Sequence, residues 1–430
     1  MKAIRGLLAW VGMGCAACAS DKPNLVFFIA DDQSWLDCGA YGSRYVRTPN
    51  FDRVARDGVL FRHAYVSSPS CTPSRAAILT GRNFWELEEG AMLHGPLPAK
   101  FAVVPDLLEA RGYRVGFTGK GWGPGKYEDG GRARNPAGPE FNSVRFDPKP
   151  DPELSPIDYA GNLAAFLRER KAGEPFFFWV GTLEPHHPHN RGNHEKMPFP
   201  YAGMEVPAFV YPGDGVKRAR ADYFFEIEYA DKRLGEVLAA LEGAGVLSDT
   251  LIMVTADNGT PIPRAKGTLY DWGTRVPFAA MWPGKVRGGR AVDDMVNLQD
   301  CAPTFLEAAV APVPPDMTAR SFLNVLLSGK SGRVDPSRDW VTSGLEWHDS
   351  AYPMRMLRTG NHMYIRNYTD LPRRARHAPA ELPDDQFERH AAQRDYGALL
   401  RMFPEHPAIK PYFALCNGPR PREELYDVNA

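Results

Sequence analysis

Two pairs of oxygen-bearing side chains, Asp31-Asp32 and Asp257-Asn258, each follow a short apolar run. Together they offer four oxygen donors, a set that suits a hard divalent cation, Ca²⁺ or Mg²⁺, rather than zinc. Either pair alone is more often a turn or a helix cap. A third stretch, Ser70-Cys71-Thr72-Pro73-Ser74-Arg75-Ala76-Ala77-Ile78-Leu79-Thr80-Gly81-Arg82, places a cysteine just ahead of a helical pattern. A cysteine at a helix start is expected to have a lowered thiol pKa and to be able to act as a nucleophile. A lone cysteine is more often structural.

Elements that could position these residues are legible around them. Asn24-Leu25-Val26-Phe27-Phe28-Ile29-Ala30, Pro175-Phe176-Phe177-Phe178-Trp179-Val180-Gly181 and Thr250-Leu251-Ile252-Met253-Val254-Thr255 are continuous apolar runs, as expected of strands buried on both faces. A further strand is expected at 113–118, and helices at 51–58, 74–80, 104–111, 159–171 and 223–243. Strands alternating with helices predict βαβ units, hence a parallel sheet with helices on both faces. The polar pairs then sit beyond the carboxyl ends of the strands, where open α/β sheets bind ligands. Residues 121–152 read as a long surface loop. From Arg338 the pattern changes to short strands, at 354–357 and 362–365, and a charged helix over 384–401. A smaller C-terminal α+β domain is expected over 338–430, after a catalytic domain over 20–337.

The chain has 430 residues, of which 43% are hydrophobic and 24% charged, which excludes wholesale disorder and fibrous classes. Lys plus Arg (51) almost cancels Asp plus Glu (52). With no overall pull toward nucleic acid or anionic membrane, an anionic substrate must be recognised by a local group of cations. Met1-Lys2-Ala3-Ile4-Arg5 and the apolar run after it read as a signal peptide over 1–19, ending at Ala17-Cys18-Ala19. Export to the periplasm or medium follows, and lipid anchoring through Cys18 is the lesser alternative. No later run is long enough to span a bilayer. Besides Cys15 and Cys18, four cysteines remain, at 38, 71, 301 and 416, without metal-type spacing.

Cys-x-Pro-Ser-Arg with its trailing Leu-Thr-Gly, at Cys71 to Gly81, resembles the signature of the type I, formylglycine-dependent sulfatases. The likeness runs from about Pro23 to Asp427. It implies an alkaline phosphatase-like fold: a large, mostly parallel sheet between helices, and a smaller C-terminal domain with an antiparallel sheet. It also implies that Cys71 is oxidised to formylglycine, by a formylglycine-generating or anaerobic sulfatase-maturating enzyme, and that the hydrated aldehyde is the nucleophile. Asp31, Asp32, Asp257 and Asn258 match the family's metal ligands, usually for Ca²⁺, with the modified side chain of Cys71 beside them. Arg75 matches the arginine that supports formylglycine, Lys120 the lysine that contacts sulfate, and His186 in Glu184-Pro185-His186 the general acid. Asp257 is also expected to accept the proton of the attacking hydroxyl.

Within that family, Pro261-Ile262-Pro263, Thr268-Leu269-Tyr270, Tyr352-Pro353-Met354-Arg355 and Glu424-Leu425-Tyr426-Asp427 look like the sulfamidases (heparan N-sulfatases, or N-sulfoglucosamine sulfohydrolases). Two departures stand out. Trp122 replaces a histidine and offers a stacking surface for a sugar. Lys266 replaces an arginine, keeping the cation but not the bidentate fork. His187, Glu346, His348 and Arg355 are expected at the substrate pocket. The resemblance implies a sulfated saccharide substrate, with N-sulfoglucosamine first. O-sulfated glucosamine is the alternative, and a silent sulfoglycan-binding protein the second alternative if Cys71 stays a thiol.

Overall fold

The computed structural model describes residues 22–369 and 382–429. The signal peptide expected over 1–19 lies outside them. Eleven strands are described: β1 (Asn24–Ala30), β2 (Val59–Tyr65), β3 (Arg114–Gly119), β4 (Phe176–Gly181), β5 (Thr250–Ala256), β6 (Phe278–Met281), β7 (Arg290–Asn297), β8 (Trp340–Trp347), β9 (Ala351–Thr359), β10 (His362–Asn367) and β11 (Glu423–Asp427). The helices are α1 (Pro49–Asp57), α2 (Cys71–Thr80), α3 (Val104–Glu109), α4 (Tyr159–Arg168), α5 (Asp214–Gly243), α6 (Asp271–Thr274), α7 (Cys301–Ala308), α8 (Leu323–Leu327), α9 (Phe387–Ala391), α10 (Tyr396–Met402) and α11 (Lys410–Asn417).

Seven strands form one sheet in the order β3-β4-β1-β5-β6-β2-β7. All neighbours pair in parallel except β6, which is antiparallel to both β5 and β2. This is the large, mostly parallel sheet that the apolar runs predict. β1 is buried along its whole length. Its period of two sends Leu25, Phe27 and Ile29 into one core and Val26 and Phe28 into the other. On the first face Phe27 meets Trp179 at 4.9 Å and Phe305 at 5.8 Å. On the second, Phe166 packs on Phe178 at 4.6 Å. Burial on both faces explains why the central strands read as unbroken apolar runs.

A second sheet, β11-β10-β9-β8, is antiparallel throughout. Its inner face buries Leu345, Met354, Met356, Met363 and Ile365 against Leu269. A separate cluster joins α9, α10 and α11 through Phe387, Leu399, Phe403 and Ile409, and closes on Val216 of α5.

Several expectations needed correction. The helix expected from Tyr223 begins at Asp214, because Val216 and Ala221 are buried among otherwise polar residues and Gly215 fits against the backbone of Arg394. The single charged helix expected over 384–401 is broken. α9 stops at Ala391, and Asp395 starts α10 by accepting the Ala398 N–H at 2.8 Å. β2 and β7 escaped notice because Arg62-His63 and Asp293-Asp294 interrupt their apolar pattern. Asp294 is fully buried and accepts the N–H groups of Val334 and Asp335. The loop 121–152 is irregular, yet Trp122 and Ala137 in it are core residues. Cys38, Cys71, Cys301 and Cys416 are all buried, and none of them forms a disulfide among the described residues. Among the described residues no helix is long and apolar enough to cross a membrane.

Glu226 of α5 is 1% exposed, and its Oε1 has no hydrogen-bond partner. Burial, with Glu184 and Asp151 nearby, raises its carboxyl to about 9. The folded state therefore holds a proton that the unfolded state loses from about pH 4.5 upward, so stability falls as pH rises through that window. Glu226→Gln should raise the melting temperature by several degrees at pH 8 and change it little at pH 4. Equal shifts at both pH values would contradict this reading.

Candidate active site

The carboxyl ends of β1, β3, β4 and β5 come level at one edge of the large sheet. Gly119 pairs with Gly181, and Ala30 with Ala256. The next residue of each of three strands is charged: Asp31, Lys120 and Asp257. Two glycines let them crowd together. Gly119 has φ +74, and a Cβ there would lie 2.0 Å from the Gly181 carbonyl oxygen. A Cβ on Gly181 would lie 1.8 Å from the Lys120 carbonyl oxygen. The Asp257 N–H donates to Ala30 O at 3.0 Å, and the Asp31 N–H to Glu184 O at 3.1 Å. Asp32, at φ +74, sits in the left-handed region, where Asp is among the few tolerated residues.

α2 points its first turn at this edge. Ser70 precedes it in an extended conformation, and Pro73 falls in the first turn, where no intrahelical N–H is lost. Cys71 and Arg75 are four residues apart, hence on one face. Arg75 is fully buried. Its Nε donates to Asp257 Oδ2 at 2.7 Å, and its Nη1 to the carbonyls of Lys120 and Gly121 at 2.8 and 2.9 Å. One guanidinium thus ties α2 to the ends of β3 and β5.

Three carboxylates and three cations meet here. Lys120 pairs with Asp31. Lys266 reaches both oxygens of Asp32, at 2.5 and 2.6 Å, and lies 3.4 Å from the Cys71 sulfur. Burial pushes Asp31 and Asp32 up, but Lys120 and Arg75 for the first, and Lys266 and His186 for the second, carry both below the usual carboxylate range. Burial lowers the two lysines, and Asp31 and Asp32 more than reverse this. The thiol of Cys71 is pushed up to about 12, by burial first and Asp31 next, against Lys120 and Lys266. This corrects the expectation of a lowered thiol pKa: the helix start is outweighed by complete burial among carboxylates, and the sulfur is held as a neutral thiol.

Asp31, Asp32, Cys71 and Asp257 offer ligand atoms all within 4.8 Å of one another. Asn258 is buried, its Oδ1 has no hydrogen-bond partner, and its Nδ2 donates to Asp257 Oδ1 at 2.8 Å. An orphaned buried oxygen beside three carboxylates fits a hard divalent cation.

The mouth of the site is a cleft of about 550 Å³. His186 stands at its inner end, 43% exposed, with Nε2 3.8 Å from Asp32 Oδ2 and Nδ1 donating to His187 O at 2.6 Å. His187 lines the cleft, its ring 4.1 Å from His189. Burial lowers both imidazoles, His189 to about 3. His348 also lines it, with Nδ1 2.9 Å from the Ser70 hydroxyl. The structure does not bring Trp122, Glu346 or Arg355 to this cleft. Trp122, 3% exposed, fills the core with Phe117 and Leu97 rather than offering a face to a sugar. Glu346 and Arg355 pair with each other on β8 and β9, and Arg355 covers Phe84 at 5.2 Å. Sequence reasoning missed Arg220, Arg264, Asp395 and Arg401, which line the outer cleft. Only Arg264 had a nearby signal, the preceding Pro261-Ile262-Pro263.

A family model described as Sulfatase matches residues 23–311. Another, described as N-sulphoglucosamine sulphohydrolase, C-terminal, matches residues 265–370. The chain is 30% identical over 365 residues to an ulvan-active sulfatase of Formosa agariphila, covering 82% of this chain and 67% of that protein. It is 28% identical over 395 residues to N-sulphoglucosamine sulphohydrolase of Homo sapiens, covering 81% and 74%. A solved structure of a protein in complex with its substrate, D-glucosamine-2-N,6-O-disulfate, shares the fold with a TM-score of 0.66 at 20% identity, over 81% of this chain and 90% of that one.

Arg75→Ala should destabilise the protein by about 3–5 kcal/mol, the cost of leaving a buried carboxylate without its cation. Denaturant unfolding checks this. A loss under about 1 kcal/mol would mean that Asp257 finds its charge balance elsewhere.

Proposed function

The chain belongs to the sulfatase family, and from that premise we propose that it removes sulfate from a sulfated amino sugar of a glycosaminoglycan, with N-sulfoglucosamine of heparan type as the preferred unit. It is a hydrolase acting on sulfate esters or sulfamates. The observation that carries the reading is the convergence of Cys71 and Arg75 with Asp31, Asp32, Asp257, Asn258, Lys120 and Lys266 at one sheet edge. The second family match, to the C-terminal part of N-sulphoglucosamine sulphohydrolase, supports the choice of sugar.

Converted to formylglycine by a maturation enzyme, the side chain at position 71 supplies a hydrated aldehyde, an oxygen nucleophile that regenerates by elimination. Asp31, Asp32, Asp257 and Asn258, with the converted residue 71, would hold Ca²⁺, whose positive charge would favour the ionised form of the hydrate. Burial, with Asp31 beside it, raises the Cys71 thiol to about 12, which disfavours the unmodified side chain as a thiolate nucleophile. Lys120 and Lys266 neutralise the sulfuryl oxygens, where negative charge accumulates during transfer. Arg75 holds Asp257 by Oδ2, while Oδ1 accepts from the Asn258 amide and the Asp32 N–H; the carboxylate so oriented is the group that would take the hydroxyl proton. His187 O can only accept, so the His186 Nδ1 must donate to it. That leaves Nε2 to hand a proton to the departing nitrogen or oxygen.

The remaining assignments follow the same reading. The catalytic domain covers 20–337, and a smaller domain over 338–430 completes the pocket through His348. The protein works after export, in the periplasm or outside the cell. An O-sulfatase acting on glucosamine 6-sulfate is the second reading. It is favoured by Lys266, whose single ammonium grips both oxygens of Asp32 and presents no fork to a sulfamate.

Matured protein supplied with Ca²⁺ should release sulfate from N-sulfoglucosamine with kcat/KM at least tenfold above that for glucosamine 6-sulfate. Sulfate release by ion chromatography measures both. A reversed preference would select the O-sulfatase reading, and full activity with Mg²⁺ alone would overturn the assignment of Ca²⁺.

A further inference from the structure

The outer half of the cleft is built by elements that the chemistry at Cys71 does not require. Arg220 of α5, Arg264 of the loop after β5, and Asp395 and Arg401 at α10 all line it. Their charges are incompletely matched. Arg220 is 7% exposed; its Nη2 donates to Asp37 at 2.6 Å, while its Nη1 is buried without a hydrogen-bond partner. Arg264 stands at φ +69, a conformation that a long side chain rarely adopts. It stacks on Tyr270 at 4.1 Å and donates one nitrogen to Leu415 O. Arg401 has no hydrogen bond or ion pair among the described residues. Its Nη1 and Asp395 Oδ1 converge on Gly397, at 3.2 and 3.4 Å from where a Cβ would sit. A glycine therefore keeps open the space between a cation and an anion. Asp395 gives one oxygen to the Ala398 N–H, and its other oxygen has no partner among the described residues.

We propose that Arg401, Arg264 and Arg220 form a second subsite, which holds an anionic group on the sugar next to the one that loses sulfate, while Asp395 takes hydroxyls of the same sugar. The inference rests on the sulfatase reading and names its substrate more closely: a disaccharide or longer glycan with a carboxylate or second sulfate beyond the scissile ring. Guanidinium forks match both anions bidentately. Arg401, partly desolvated and without a partner among the described residues, gains most from such a ligand, while Arg264 and Arg220 add positive charge beside it. A cleft of about 550 Å³ lies within the range of roughly 300–1,000 Å³ usual for small-molecule sites. His187 and His189 also line the cleft.

The test uses the full chain in two forms. With matured protein, kcat/KM is compared for N-sulfoglucosamine and for disaccharides carrying that sugar beside a uronate, a second sulfate, or a neutral ring. Arg401→Gln should lower the ratio of anionic-disaccharide to monosaccharide kcat/KM about tenfold, mainly through KM, and Arg401→Lys should restore part of it. The uronate and disulfated arms decide which anion the subsite prefers. With unconverted Cys71 protein, calorimetric titration with the same disaccharides should show the same tenfold weakening in Arg401→Gln. If wild type and Arg401→Gln discriminate equally in both measurements, the subsite is overturned and the sulfatase reading stands. If binding depends on Arg401 but matured protein releases no sulfate, the subsite stands and the sulfatase reading falls.

Discussion

Three carboxylates, Asp31, Asp32 and Asp257, are each 2% exposed or less and share one small volume. Like charges so placed repel, and removing each from water costs several kcal/mol. The site exists only because Arg75, Lys120 and Lys266 are buried with them, and because each cation touches a particular carboxylate. Almost everything else in the large sheet can be understood as delivering these six groups. Arg75 is the least replaceable of the six. Its fork alone spans α2 and two strand ends at once.

The same balance bears on reactivity. Lys120 and Lys266 are paired with aspartates, so in the proposed reaction an incoming sulfuryl group would have to share or displace those contacts. A divalent cation among the carboxylates would release the lysines toward the anionic substrate. Substrate recognition, metal loading and stability are thereby linked through one set of charges. Cys71 sits inside that set, and burial first, then Asp31, suppresses its thiolate. An oxygen nucleophile that a cation helps to ionise suits this environment better than a sulfur that it keeps neutral.

Much of the inner site was legible in the sequence, because its residues lie directly after unbroken apolar runs or on a fixed helical spacing. Asp31 and Asp257 end β1 and β5, and Cys71 and Arg75 are one helical turn apart. Such relations are local, and period and position reveal them. The outer cleft was not legible. Arg220 lies in a stretch of α5 whose polar sequence hides its burial, and Arg401 follows a helix break set by the cap at Asp395. Trp122 misled for the converse reason. An aromatic residue next to an active-site lysine looks like a sugar platform, yet the chain turns it into the core beside Phe117. The alternation that exposes a strand is blurred where a buried carboxylate such as Asp294 serves backbone N–H groups instead of solvent.

In the proposed reaction, turnover belongs to a converted Cys71 and not to the thiol. It is tested most directly by preparing the protein with a graded supply of maturation enzyme, measuring by peptide mass the fraction in which the thiomethyl group has become an aldehyde, and assaying sulfate release from each preparation. Sulfate release plotted against that fraction should give a straight line through zero. Turnover by fully unconverted protein at a rate comparable to the converted form would contradict it.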